Sequence, residues 1–170
     1  MSGIRFELAT SAEDLRAYFA LRKAIFCQEQ QMFSGIDIDD ADRTAYPIVA
    51  RVGSTAPSDQ IVGVVRIYET QPGWWYGGRL GVHPNHRRQW QISRGLVHKA
   101  VTTANSWGCK RFLATVQMQN VRFFERLHWH SLEEVTLCGR LHHLMEADLT
   151  YYPPSGERRP VMPLLLCETH

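Results

Sequence analysis

Two segments, spaced as strand, basic turn, helix, strand and helix, constrain what this chain can fold into. The first runs from Arg79 to Val97 (RLGVHPNHRRQWQISRGLV) and the second from Arg111 to Trp129 (RFLATVQMQNVRFFERLHW). A helix joining two strands is a crossover, so part of the sheet is expected to be parallel. A basic turn that opens a helix is also an anion site. Unpaired backbone N–H groups and the helix dipole face the ligand there, and arginines add charge.

The rest of the chain supplies the other elements. Ile4 to Leu8 alternates as a short strand, and Ser11 with Asp14 three positions on makes a capping-box-like helix start. The following helix carries Leu15, Tyr18, Phe19, Ile25 and Phe26 on one face, with Arg22 in its middle. A guanidinium in that place must find an anionic partner or look into a cavity. Residues 35–42, GIDIDDAD, hold four carboxylates. The plain expectation is a solvated acidic loop with helix-capping aspartates. The sharper one is a carboxylate that pairs with Arg22 or meets a cationic substrate.

Residues 48–52 and 60–69 read as a hairpin joined by a polar loop, and 76–82 as a glycine-rich strand open to close approach by backbone or ligand. Beyond the basic turn, Ile92, Leu96, Val97, Ala100, Val101 and Ala104 line one side of a helix that Gly108 ends. A strand at 112–116, a short helix at 120–127 and strands at 132–137 and 141–149 complete the order, with an extra helix near 39–46. Hairpins and crossovers together predict an α/β (α+β) fold around a mixed, mostly antiparallel sheet of about seven strands flanked by about four helices.

At 170 residues, with 44% apolar content, the chain can bury a core without disulfides or metal. The expected organisation is one domain over residues 1–150 and a Pro-rich tail over 151–170, packed on the domain or on a partner. No run resembles a membrane span, and MSGIRFELAT lacks the basic and apolar regions of a secretory signal, so a cytoplasmic protein is expected. The four cysteines stand apart, without a C-x-x-C pair, which favours reduced thiols. His128, His130, His142 and His143 lack ligand spacing, so no metal is predicted. A net charge of +2 and scattered tryptophans do not make a nucleic-acid platform.

Neither the P-loop G-x-x-x-x-G-K-[ST] nor the dinucleotide G-x-G-x-x-G is present. The region from Leu80 through Val82, Pro84, Arg87, Arg88, Ser93 and Leu96 instead resembles the coenzyme A site of the GNAT acyltransferase superfamily. VQMQNVRFFERLHW (residues 116–129) is similar to that superfamily's second element. LRKAIFCQEQ followed by the aspartates at 37–42 resembles the opening of a GNAT branch found in bacterial nitrogen-starvation, nitrilase-type clusters. Three departures stand out. Gln91-Ile92-Ser93 replaces the expected Gly-x-Gly, with Ser93 able to cap the helix and donate from its hydroxyl. Phe124 stands where many relatives place a tyrosine acid. His128 replaces a glycine whose usual role is turn geometry.

The resemblance implies a GNAT-like fold and acetyl transfer from acetyl-CoA to the amine of a small metabolite in a ternary complex. It places cofactor contacts at Leu80, Gly81, Val82, Arg87, Arg88, Gln91, Ser93, Asn120, Phe123 and Phe124. A bulge near Gly81-Val82 would offer a backbone N–H to the oxyanion, and the strand's glycines would leave room for pantetheine. The acid–base candidates are Glu69 at a strand end, His143 on an apolar strand face and Tyr76. Arg22, Arg66 and Arg79 are the substrate-binding candidates. Arg66 and Arg79 are expected either to pair with Glu69 or the acidic loop, or to bind a carboxylate or phosphate. Two alternatives stay open, a non-catalytic acyl-CoA-binding or regulatory module and an acyl-homoserine-lactone synthase. A homodimer using the tail is also open.

Overall fold

A computed structural model describes residues 3–53 and 60–161. The polar loop at 54–59, Cys167 and the last part of the tail lie outside the described residues. Seven strands form one sheet in the spatial order β1-β2-β3-β4-β5-β7-β6, and every neighbouring pair is antiparallel except β4 and β5. They are β1 (Arg5–Leu8), β2 (Tyr46–Val52), β3 (Gln60–Gln71), β4 (Trp74–Val82), β5 (Arg111–Gln117), β6 (Trp129–Leu137) and β7 (Arg140–Ala147). Helices α1 (Ala12–Lys23), α2 (Trp90–Ser106) and α3 (Val121–Arg126) fall where the periodicity places them. The helix expected near 39–46 is a short 3₁₀ turn at Asp40–Arg43.

Local chemistry sets the ends. The Ser11 hydroxyl accepts from the Asp14 N–H at 3.0 Å, capping α1. At the other end of α2, Gly108 takes φ 85°, its N–H reaches the Asn105 carbonyl, and the Cys109 N–H reaches that of Ala104. That pair of bonds is a Schellman motif, which needs a left-handed residue and so favours glycine. His128 adopts φ 70° at the turn into β6 and stacks on Tyr151, confirming a turn position where a glycine would be at ease.

The sheet separates two cores. On one face α2 and α3 cover Ile48, Val65, Ile67, Trp75, Phe112, Val116 and Met145. On the other α1 covers Val49 and Val64 with Tyr18, Leu21, Ile25 and Phe26. After Lys23 the helix widens into a π-helical segment, Ala24–Glu29, which carries Ile25 and Phe26 down onto β4. The chain from Tyr152 to Val161 folds back over α2. Asn105 donates to the Tyr152 carbonyl and Trp107 Nε1 to that of Glu157, each at 2.7 Å.

Candidate active site

β4 and β5 pair over only three positions, from Trp74 opposite Arg111 to Tyr76 opposite Leu113. Beyond Tyr76 the strands part, so Gly77–Val82 and residues 114–117 no longer pair with each other. Backbone groups facing this fork lack the partners that a continuous sheet provides, and buried peptide groups require partners. A ligand carrying amides can supply them by strand-like pairing.

A bulge lies beside the fork. β3 and β4 pair at Val64 with Gly81 and next at Arg66 with Gly78, so β4 carries one extra residue at Arg79-Leu80. This is two positions before the expected Gly81-Val82. Arg79 itself holds φ 52°, a left-handed conformation costing about 1–2 kcal/mol for a residue with a Cβ. The flanking glycines accommodate core side chains. A Cβ on Gly81 would stand 2.7 Å from Ile25 Cδ1, and one on Gly77 would stand 3.0 Å from the Phe112 ring. They admit core side chains from opposite faces of the sheet.

The basic turn follows β4. Arg87 donates from Nε to the Val82 carbonyl at 3.0 Å and from Nη2 to Glu29 at 2.5 Å, tying the turn to the π-helical segment. Arg88 is exposed and has no ionic, hydrogen-bonding or ring partner among the described residues. Helix α2 begins at Trp90, with Gln89 as its cap and no capping side chain, so Ser93 is three residues inside the helix and does not cap it. The N–H groups of Trp90 and Gln91 have no backbone acceptor among the described residues, as expected for a first helical turn. Ile92 is fully buried, Gln91 is exposed, and Trp90 is exposed with Arg94 stacked on it at 5.5 Å. The departures from Gly-x-Gly therefore leave the helix end open to solvent.

Two of the four carboxylates of the acidic loop, Asp37 and Asp42, are buried, whereas Asp39 and Asp40 stay exposed as the plain expectation has it. Arg22 is 0% exposed and donates to Asp37 at 2.7 Å and to Asp42 at 2.7 and 3.0 Å. Arg66 donates twice to Asp39, at 2.5 and 2.9 Å. Arg79 reaches the Asp37 carbonyl at 2.7 Å and Asp39 at 3.3 Å. The capping part of that expectation holds as well, since Asp39 closes a capping box with Asp42. Burial pushes the Asp39 carboxyl up, but the Arg66 hydrogen bond and the charges of Arg66, Arg79 and Arg22 outweigh it and bring it to about 2. Burial, with Arg66 and Arg22 close by, lowers the Arg79 guanidinium. Of the two roles open to these arginines, partner of the acidic loop or ligand of a substrate, all three take the first, facing Asp37, Asp39 and Asp42.

The acid–base candidates are dispersed. Glu69 accepts from the Gly73 N–H and pairs with Arg159 at 3.2 Å. It lies five residues along β3 from Val64, the partner of Gly81, or roughly 17 Å at the usual rise per residue. His143 pairs with Val116 on the face of α2 and α3; its Nδ1 meets Ser131 Oγ at 2.7 Å, and its buried Nε2 has no partner. Tyr76 stands at the base of the fork, stacked on Tyr68 at 5.9 Å. Phe124 turns into the core against Trp129 and Phe123, Phe123 and Leu80 are half-buried, and Asn120 is exposed. One feature had no signal in the sequence. Gln30 receives Gln117 Nε2 at 3.0 Å and Arg140 at 2.7 Å, so the segment after the π-helical turns bridges β5 and the β6–β7 turn.

Among the described residues no group of His, Cys, Asp or Glu could hold a metal, and no helix is long and apolar enough to cross a membrane. No match is found among curated proteins. Solved structures with this fold include a proposed N-acetyltransferase from Lactobacillus plantarum, with a TM-score of 0.73 and 19% identity over 86% of this chain and 99% of that one. Escherichia coli ElaA matches with a TM-score of 0.71 and 22% identity over 87% of this chain and 100% of its own. An acyl-CoA N-acyltransferase from Pseudomonas aeruginosa matches with a TM-score of 0.70 and 15% identity, again over 87% of this chain and 100% of its own. At such identities these likenesses concern the fold. The model of the acetyltransferase (GNAT) family matches residues 12–129, well over half of the sequence. With that match, the parted strands and the open helix end, the chain belongs to the GNAT family, acyltransferases that draw on an acyl-CoA donor.

Proposed function

We propose that this protein transfers an acetyl group from acetyl-CoA directly to the amine of a small metabolite, with both substrates bound at once. The observation that carries this reading is the fork between β4 and β5, with Arg88, unpartnered among the described residues, and the open N-terminus of α2 at its edge. Arg88 and the N–H groups of Trp90 and Gln91 would hold the pyrophosphate, where charge and the helix dipole act together. Backbone of β4 from Gly77 to Val82 would pair with the pantetheine amides. The donor supplies a thioester. Its carbonyl carbon gains a bond to the amine nitrogen and loses its bond to sulfur.

The bulge at Arg79-Leu80 supports an oxyanion donor, because the extra residue leaves a backbone N–H outside the sheet ladder. Tyr76 is the acid–base candidate that position favours, since it stands where the strands separate. It would return to the thiolate the proton that the amine gives up, a modest demand because a thiol with a pKa near ~8.5 leaves readily. Glu69 and His143 are engaged elsewhere and take structural roles in this reading.

Calorimetric titration with acetyl-CoA, followed by thiol release with a panel of small amines, tests the proposal. A charged contact to phosphate contributes about 1.5–3 kcal/mol, so Arg88→Ala should weaken acetyl-CoA binding by roughly 10- to 100-fold. Absence of binding by the unaltered protein would overturn the reading. Binding without turnover of any amine would favour a non-catalytic acyl-CoA module.

A further inference from the structure

The positive φ of Arg79 is out of keeping with its surroundings. The other non-glycine residues with left-handed backbone, Gln31, His128 and Cys138, lie outside the strands, whereas Arg79 is inside β4. Gly77, Gly78 and Gly81 flank it, and any of them would adopt that conformation without strain. The chain instead places there a residue whose side chain is anchored by four polar contacts. Arg79 Nε contacts Asp37 Oδ2 at 3.2 Å and the Asp37 carbonyl at 3.3 Å. Its Nη2 contacts the same carbonyl and Asp39, and its guanidinium lies 4.3 Å above the Phe33 ring. The anchors are themselves held, Asp37 by the buried Arg22 and Asp39 by Arg66.

Arg66 packs against the other side of the bulge. It pairs in register with Gly78, the residue before Arg79, and its Nε would stand 3.6 Å from a Cβ placed there. The cluster therefore anchors the extra residue through Arg79 and lies against Gly78 through Arg66. Three guanidinium groups face Asp37, Asp39 and Asp42, so their charges balance within the chain. That balance suits a clamp better than a receptor for a substrate anion.

We propose that Arg79 is a positioning residue, which locks the bulge in the shape that aims its backbone N–H at the developing oxyanion. The acidic loop thereby belongs to the reaction centre without touching substrate. This assignment rests on the acetyltransferase reading above. Strand bulges re-aim backbone groups beside active sites, and misplacement by about 1 Å can cost on the order of 100-fold in rate. Strained residues persist where the surroundings over-determine them, as the four Asp contacts do here.

Arg79→Gly keeps the permitted backbone and removes only the anchor, so it separates positioning from folding. The expected result is kcat lower by roughly 100-fold, with the acetyl-CoA dissociation constant and KM within about threefold of the unaltered enzyme. Arg79→Lys, which retains one charged contact, should recover part of that loss. Amide hydrogen exchange at residues 79–82 should quicken in Arg79→Gly while that of β2 stays unchanged. A kcat within threefold of the unaltered enzyme, a defect confined to acetyl-CoA affinity, or unchanged exchange at 79–82 would each overturn the assignment. Failure of the unaltered protein to turn over any amine would instead sink the acetyltransferase reading, and the exchange comparison would still judge whether Arg79 holds the bulge.

Discussion

Replacing Arg159 with alanine should destabilise the domain measurably while leaving catalysis alone. Arg159 comes from the returning C-terminal segment and enters a box of Tyr46, Trp75 and Trp107, with its guanidinium 5.1–5.5 Å from the three ring centres. It donates to the Tyr46 hydroxyl at 2.9 Å and pairs with Glu69 at 3.2 Å, although 42% of its side chain remains exposed. The hydrogen bond contributes about 1 kcal/mol. Cation–π attraction at a half-open site adds about 0.5–1 kcal/mol, and the exposed ion pair about 0.5 kcal/mol or less. The sum is about 2 kcal/mol, which in a domain of this size lowers Tm by about 4–8 °C. Thermal unfolding followed by tryptophan fluorescence reads it directly, because Trp75 and Trp107 form the box. Arg158→Ala, at the exposed neighbouring position, is the control and should move Tm by less than about 1 °C. A shift below about 1 °C for Arg159→Ala would refute the latch. A tenfold fall in kcat at unchanged Tm would refute the placement of Glu69 outside the reaction.

Two further predictions concern the ion cluster. Arg22→Ala removes the buried cation that Asp37 and Asp42 share, leaving three carboxylates to Arg66 and Arg79, and should cost about 3–5 kcal/mol by urea unfolding, whereas Arg22→Met with Asp42→Asn should recover part of that loss. Asp39 is held near 2 against an ordinary 3.8, and Asp42 is also lowered, so their stabilisation is complete above about pH 4 and is lost as pH falls toward 2. Acid unfolding should therefore steepen in that window, and Asp39→Asn should flatten it; an unaltered pH profile would sink the argument.

Much of the fold was legible because its signals are local. Ser11 and Gly108 mark their helix ends by their own chemistry, and the apolar side of α2 repeats within a few residues. The open helix end was legible too, since Arg87 and Arg88 announce it, although the sequence could not show that Arg87 is taken by Glu29, 58 residues away. The π-helical widening at Ala24–Glu29 has no counterpart in composition, and its consequence, Ile25 beneath Gly81, requires both elements in place. The burial of Asp37 and Asp42 has the same origin. A run of aspartates is ordinarily solvated because a single segment rarely brings the cations that would let it be buried.

Here the cations arrive from three elements. Arg22 comes from α1, Arg66 from β3 and Arg79 from β4, at separations of 15 to 42 residues from their partners. The sequence offers the acidic loop as one partner for these arginines, but the fold sets which carboxylate each one takes, and together the pairings decide which residues are free to meet a substrate. The arginines left open between loop and substrate are taken by the loop, and Arg88 at the helix end keeps no partner among the described residues. The same reasoning applies to the fork. Strand propensity gives β4 and β5 separately, but the place where they stop pairing depends on what wedges them apart. Phe112 beneath Gly77 and Ile25 beneath Gly81 fill opposite faces of β4 along the stretch where it leaves β5. The core on each side thus shapes the opening, which ties the packing of this domain to the geometry on which its chemistry would depend.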